Sequence, residues 1–342
     1  MNALNYYGIC LIGMVIFTIA YLKIAKALKI HDHPVSRSSH TVVTITGFGL
    51  FLPMGLLIYT VCYSYNTLPV LFVVGFLMMV TISFIDDIIF IKHAIRFVFQ
   101  IFSLILMASV LPFENGFADT LPVVIAVVIF SIGVLNAFNF MDGVNGMLGL
   151  NSLVIFLSLW WLNENSFDKE GAHIYYTDSV FLVTCIIGLC MFLFLNFRKK
   201  ALVFAGDIGS IGIAFIICYM MFSLILKTGN YSYLLLFSVL GVDAGLTVIY
   251  KLILRENIFV PHRDFLFKKL AHVAKAPHIR ISFIYAMIQL VINVIVIFQP
   301  YQKKLSSQLA VMFIIVVLLL ATYIGFRNQY TKKRIIRFRD KE

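Results

Sequence analysis

Charge is scarce in this chain. Asp, Glu, Lys and Arg make up 13% of its 342 residues, against about 25% in soluble globular domains. So few charges cannot clothe a water-facing surface of ordinary extent, which excludes a soluble globular fold. Cysteine is also sparse, and Cys10, Cys62, Cys185, Cys190 and Cys218 all lie in apolar runs without zinc or haem spacing. They read as small packing residues. No linker long enough to separate domains is present, so residues 1–342 read as a single domain. The first apolar run lacks a basic leader and is followed by Lys23, Lys26 and Lys29. This pattern predicts a span with its N-terminus outside, not a cleaved signal peptide.

What the chain has in abundance is apolar sequence. Hydrophobic residues make up 61%, with 33 Phe, and runs near the length needed for a bilayer core of about 30 Å recur throughout. Eleven spans are predicted, at about 5–28, 43–65, 69–87, 94–111, 119–137, 146–162, 179–196, 207–226, 231–251, 280–298 and 308–326. The expected fold is therefore an all-α, polytopic membrane bundle. Alternating from an outside N-terminus, the inner segments carry 23 Lys and Arg and the outer loops 4, as the positive-inside rule requires. A net charge of +11 could suggest nucleic acid. Its distribution instead assigns it to topology and to membrane lipids, with no nucleic-acid partner and a cytoplasmic C-terminus.

The unusual polar residues gather on that same inner face. VTISFIDDIIFI ends the third span with Asp86 and Asp87, and NAFNFMDGVNGM ends the fifth. AGDIGSIG opens the eighth, Asp243 lies in the ninth, and PHRDFLFKKLAH follows in a loop over 252–279. Ionisable groups within spans are costly and mark functional sites. Asn136, Asn139, Asp142 and Asn145 recur every third residue, so neighbours share a helix face. They offer amide donors and a carboxylate, or else a capped loop between spans. In 205–212, small residues at a helix start could admit a phosphate, and Asp207 supplies a hard oxygen suited to Mg²⁺. The alternative is an Asp N-cap with small residues for helix packing. Arg96 and Gln100 share one face of the fourth span and could meet a phosphate. Asp243 reads as a packing partner for an inner Arg or Lys.

Taken in order, these segments resemble the polyprenyl-phosphate N-acetylhexosamine-1-phosphate transferases of the glycosyltransferase 4 family, which includes the phospho-MurNAc-pentapeptide translocase. HDHPVSRSSHT resembles the family's first inner loop, FIDDIIFIKHAIRFVFQ its paired-aspartate segment, NAFNFMDGVNGM its Asn-x-x-Asp-Gly motif, FAGDIGSIG its Gly-Asp-x-Gly-Ser motif, and PHRDFLFKKL its basic loop. The similarity runs over about 31–272. The chain departs from the family at Ile45–Gly49, where Pro-Arg-Gly-Gly-Gly is frequent. It also departs at Asn145, often Asp, and at Phe265 and Phe267, where further His residues are usual.

The resemblance implies transfer of a sugar 1-phosphate from a UDP-N-acetylhexosamine, such as UDP-GlcNAc, to undecaprenyl phosphate. The reaction releases UMP, uses Mg²⁺ and initiates a surface glycan such as lipopolysaccharide at the bacterial inner membrane. On this reading Asp207 and Asn139 hold the metal. Asn139, Asp142, Asn145, His262 and Arg263 bind the nucleotide sugar, and Arg96, Gln100 and Arg37 bind the polyprenyl phosphate. Asp87, then Asp86, is the candidate base. Dimers occur in the family, and the sequence leaves oligomeric state open. The competing functions are a translocase-type enzyme and a transporter or flippase. The latter calls for midplane charges and internal repeats, and neither is evident.

Overall fold

The computed structural model describes residues 2–32, 43–64, 67–89, 91–113, 117–166, 173–255, 264–299 and 304–339, with side chains described except at 117–119 and 328–339. The helices are α1 (Ala3–Ala27), α2 (Phe51–Cys62), α3 (Val70–Ile88), α4 (His93–Ala108), α5 (Phe117–Met141), α6 (Met147–Asn165), α7 (Ser179–Asn196), α8 (Gly206–Thr228), α9 (Ser238–Ile253), α10 (Leu266–His272), α11 (His278–Phe298) and α12 (Leu305–Arg339). Among the described residues, 9 helices are long and apolar enough to cross a membrane, and two shorter apolar helices cover Phe48–Cys62 and His93–Ala108. Each expected span falls on one of these, and the chain is an all-α, multi-pass membrane protein. The loop expected over 252–279 contains α10, which apolar periodicity did not announce. A small antiparallel ribbon, β1 (His31–Asp32) with β2 (Thr44–Ile45), is the only sheet among the described residues.

α8 is the central pillar. Its most apolar window is wholly buried, against 11% for α12. Lipid tails are as apolar as any side chain, so helices associate in a bilayer through close packing and hydrogen bonds. α8 supplies both. A Cβ at Gly49 would overlap the backbone of Gly209, and one at Gly212 would stand 2.9 Å from Leu52 Cδ1. Small residues for packing, foreseen as one reading of 205–212, are thus used at Gly209 and Gly212. Polar side chains bind the outer helices. Asn293 Nδ2 donates to Ser158 Oγ at 2.9 Å, and Gln289 Nε2 donates to Asn293 Oδ1 at 2.7 Å. Gln289 also donates to the Leu235 carbonyl and accepts from the Val239 N–H, both at 2.9 Å. Those two backbone groups lie where the 3₁₀ turn Tyr231–Phe237 gives way to α9. A break in helix at membrane depth needs such a partner.

One end of the bundle is laced by backbone. Phe204 N–H donates to the Ile45 carbonyl at 2.7 Å, and Gly49 N–H to the Ala205 carbonyl at 2.9 Å. The ribbon that follows α1 is thereby joined to the start of α8. α3 and α5 finish at this end, and α4 begins there. α12 starts at the opposite end, where Gln308 accepts from the Tyr231 N–H at 3.1 Å.

Candidate active site at the acidic end of the bundle

The first N–H groups of a helix have no partner within it. At α8 they are met by carboxylates from two other helices. Asp142, just past α5, accepts from Ala205 N–H at 3.3 Å and Gly206 N–H at 2.7 Å. Asp87, at the end of α3, accepts from Asp207 N–H at 2.9 Å and Ile208 N–H at 3.1 Å. Two anions thus occupy the helix start that sequence spacing suggested for a phosphate. Gly206 makes the arrangement possible. Its φ of +72° lies in the left-handed region, and a Cβ there would stand 2.5 Å from Asp87 Oδ2 and 2.9 Å from Gly47 N.

With its backbone held, Asp207 presents its side chain to the cluster. Arg96, at the start of α4, donates from Nη1 to Asp207 Oδ2 at 2.9 Å and pairs with Asp86 Oδ2 through the same nitrogen. Asp86 Oδ1 accepts from the Ile91 N–H at 3.0 Å. The Asn139 side chain lies beside the Asp207 carboxylate, within reach of it. The Asp207 side chain is 25% exposed, twice the 12% of Asp86. Asp86, Asp87, Asn139, Asp142, Asp207 and Arg96, distant in sequence, therefore form one contiguous network. Gln100 lies one turn beyond Arg96 and is buried.

Asn145 is close by but turned elsewhere. Its amide donates to the carbonyls of Arg198 at 2.8 Å and Lys199 at 3.3 Å, and its own carbonyl accepts from Ser282 Oγ at 2.8 Å. It ties the turn after α5 to the segment before α8. A second residue in this tie, Asn196, escaped sequence reasoning. Its Oδ1 accepts from the Gly146 N–H at 2.7 Å, and its Nδ2 donates to the Val203 carbonyl at 2.8 Å. The one available signal was an amide closing an otherwise apolar span. Arg37, His262 and Arg263 lie outside the described residues.

Four carboxylates and one bridging guanidinium leave the cluster in excess negative charge. Burial pushes the Asp142 carboxyl up to about 7, against the N–H groups of Gly206 and Ala205, which favour its charged form. The charges of Asp207 and Asp32 contribute to that upward shift. Among the described residues no three His, Cys, Asp or Glu side chains form a group able to enclose a metal. Mg²⁺ seldom needs such a cage, since it keeps waters and takes one or two carboxylates together with substrate phosphates. Partly exposed Asp207, with the Asn139 amide beside it, fits that smaller donor set.

Residues 69–225 match the family model described as Glycosyl transferase family 4. The matched segment is just under half of the chain and runs from the start of α3 to the last turn of α8. It contains Asp86, Asp87, Arg96, Asn139, Asp142 and Asp207, so the match and the network coincide. It supports a transferase of the polyprenyl-phosphate sugar-phosphate kind, with a nucleotide sugar and a polyprenyl phosphate as substrates. Comparison with curated proteins finds no match.

Proposed function

We propose that this protein transfers an N-acetylhexosamine 1-phosphate from a UDP-sugar to undecaprenyl phosphate at the cytoplasmic face of the bacterial inner membrane, releasing UMP and initiating a surface glycan. The observation that carries the proposal is the convergence of four carboxylates, Arg96 and Asn139 at one end of the bundle, within the segment that matches the family model. A lipid whose phosphate floats at headgroup level can meet a water-soluble nucleotide only at such a boundary. An arrangement of eleven spans with an outside N-terminus would put this end in the cytoplasm, and the 23 Lys and Arg that the sequence assigns to that side support this orientation.

In the proposed reaction an oxygen of the lipid phosphate attacks the β-phosphorus of the UDP-sugar, and the bond from that phosphorus to UMP breaks. Phosphoryl transfer depends on positioning and charge stabilisation more than on covalent help. Asp207 and Asn139 are the residues that would hold Mg²⁺, which when bound offsets the charge of the diphosphate. Arg96 holds Asp207 and Asp86 in place and turns a guanidinium toward incoming phosphate, whose two-point binding suits Arg. Arg37 and Gln100 serve the lipid phosphate, and His262 and Arg263 the nucleotide side, while Asn145 holds the turn after α5 against the approach to α8. For Asp87 and Asp142 we assign a holding role ahead of proton transfer, because both oxygens of each are engaged by backbone N–H groups. A phosphate monoester with a second pKa near 6 is largely dianionic at neutral pH, so the acceptor needs little help from a base.

The test is turnover by purified protein given undecaprenyl phosphate, Mg²⁺ and UDP-N-acetylglucosamine or its epimers, labelled in the sugar. Label in the lipid extract, with UMP in equal amount, is expected. Absence of both across the set of UDP-sugars would overturn the reading.

A further inference from the structure

Asp243 stands apart from the acidic network, yet it is the one acidic residue among the described residues that is fully buried, at 2% exposure. A buried carboxylate inside a span persists only when its oxygens are satisfied. The sequence predicts a Lys or Arg partner. The direct partners are instead the N–H groups of Leu266 at 2.8 Å and Phe267 at 3.2 Å, and the hydroxyl of Tyr285 at 2.8 Å. Arg327 of α12 lies within electrostatic reach. Its own guanidinium is held by Tyr323 Oη at 2.7 Å and lies 3.9 Å from the centre of the Tyr250 ring.

The groups that Asp243 binds open α10, a helix of 7 residues. A helix so short does not sustain itself. Asp243 from α9, itself held by the Tyr285 hydroxyl from α11, grips it at its first turn, which fixes Phe265 just before it. The Phe265 ring packs on Phe140 with centroids 5.0 Å apart, and Phe267 stacks behind it at 5.4 Å. Phe140 stands between Asn139 and Asp142 in the last turn of α5. A line of contacts therefore runs from Asp243 through Phe265 and Phe140 to Asn139, which lies beside Asp207, and Asp142, which binds the start of α8.

We propose that Asp243 is a positioning residue for the transfer site: by holding Phe265 against Phe140 it sets Asn139 and Asp142 relative to Asp207. The kinetic side of this inference rests on the proposed transferase function, and the structural side does not. The test uses full-length protein in nanodiscs carrying Asp243→Ala, Phe265→Ala or Tyr285→Phe. Amide hydrogen exchange is followed at 264–273, at 138–146, and at α7 as an internal control. Substrate kinetics follow. Asp243→Ala is expected to lose protection at both 264–273 and 138–146, with α7 unchanged. Its kcat/KM should fall about tenfold or more, the range for losing hydrogen bonds to a buried charge. The fall should lie mainly in KM for the nucleotide sugar, with KM for the lipid phosphate unaltered. Phe265→Ala keeps the α10 cap but cuts the line, so it should loosen 138–146 alone and reproduce the KM effect. Tyr285→Phe removes one hydrogen bond of three and should fall between wild type and Asp243→Ala.

Loosening confined to 264–273 in Asp243→Ala, with KM unchanged, would overturn the proposal. So would wild-type protection at 138–146 in Phe265→Ala, which also serves if Asp243→Ala fails to fold. A wild-type protein inactive with every UDP-sugar would sink the transferase reading while leaving the exchange pattern to decide the positioning role.

Discussion

Replacing Gly206 by Ala tests the clamp at the start of α8 with a single methyl group. The residue has φ +72°, and a left-handed conformation costs a side-chain-bearing residue about 1–2 kcal/mol. The added Cβ would also sit 2.5 Å from Asp87 Oδ2 and 2.9 Å from Gly47 N. The neighbour at Gly47 is backbone, laced to β2 and α8, so Asp87 must give way. Its movement weakens the hydrogen bonds from Asp207 and Ile208, and loss of one such bond to a charged group costs about 1.5–3 kcal/mol. Together these amount to about 2.5–5 kcal/mol, shared between folding and the placement of Asp207. At about 1.4 kcal/mol per factor of ten, even half of this on the reaction lowers turnover by about eightfold to sixtyfold. The assay is the initial rate of lipid-linked sugar formation per mole of folded protein, with the melting temperature in detergent measured alongside. Gly212→Ala is the companion variant. Its Cβ would meet the side-chain ends Leu52 Cδ1 at 2.9 Å and Val80 Cγ1 at 3.1 Å, not a carboxylate. It should lower melting temperature and leave rate per folded molecule nearly intact. A Gly206→Ala protein with wild-type rate and wild-type melting would refute the clamp.

Asn196→Ala removes both hydrogen bonds between the turn after α5 and the approach to α8. A loss of about 2–3 kcal/mol is expected, read as a lower melting temperature. Asp142 titrates in the folded protein near 7, above its ordinary value of 3.8. Its contribution to stability is therefore full below about pH 4 and lost as pH rises through 7. Melting temperature followed from pH 4 to 8 should show this component, and Asp142→Asn should remove it. Topology can be read from single cysteines in a variant lacking the native five. An impermeant maleimide should label Lys227→Cys in intact cells and Lys199→Cys only after permeabilisation, and the reverse pattern would invert the proposed orientation.

The spans were legible because a bilayer imposes a length, and apolar runs of that length can be counted. Position near the acidic end was legible for the same reason: alternating spans put Asp86, Asp87, Asp142 and Asp207 on one face. What each carboxylate does there was not. Whether Asp87 binds metal, takes a proton or caps a helix depends on which N–H lies opposite, and that is set by how α3 and α5 pack on α8. Arg96 reads in sequence as a lipid-phosphate ligand, while in the fold it bridges Asp86 and Asp207. Asn145 has the spacing of a binding strip, but the turn at Gly146 directs its amide to the carbonyls of Arg198 and Lys199. α10 was hidden because a short helix that depends on a distant carboxylate leaves no apolar period of its own. Asp243 could be found as a buried charge, but not its partners, which lie on α10 and α11.

The central claim is that phosphorus, not the sugar alone, moves to the lipid at Asp207. Its most direct measurement uses a UDP-sugar labelled at the β-phosphorus, with wild-type protein and Asp207→Asn compared at equal folded amounts. The account predicts label in the lipid extract and unlabelled UMP in water for the wild type, with at least a hundredfold slower transfer in the variant, the order expected for a lost transition-state charge contact. Label leaving as UDP while the sugar enters the lipid, or equal rates in the two proteins, would contradict it.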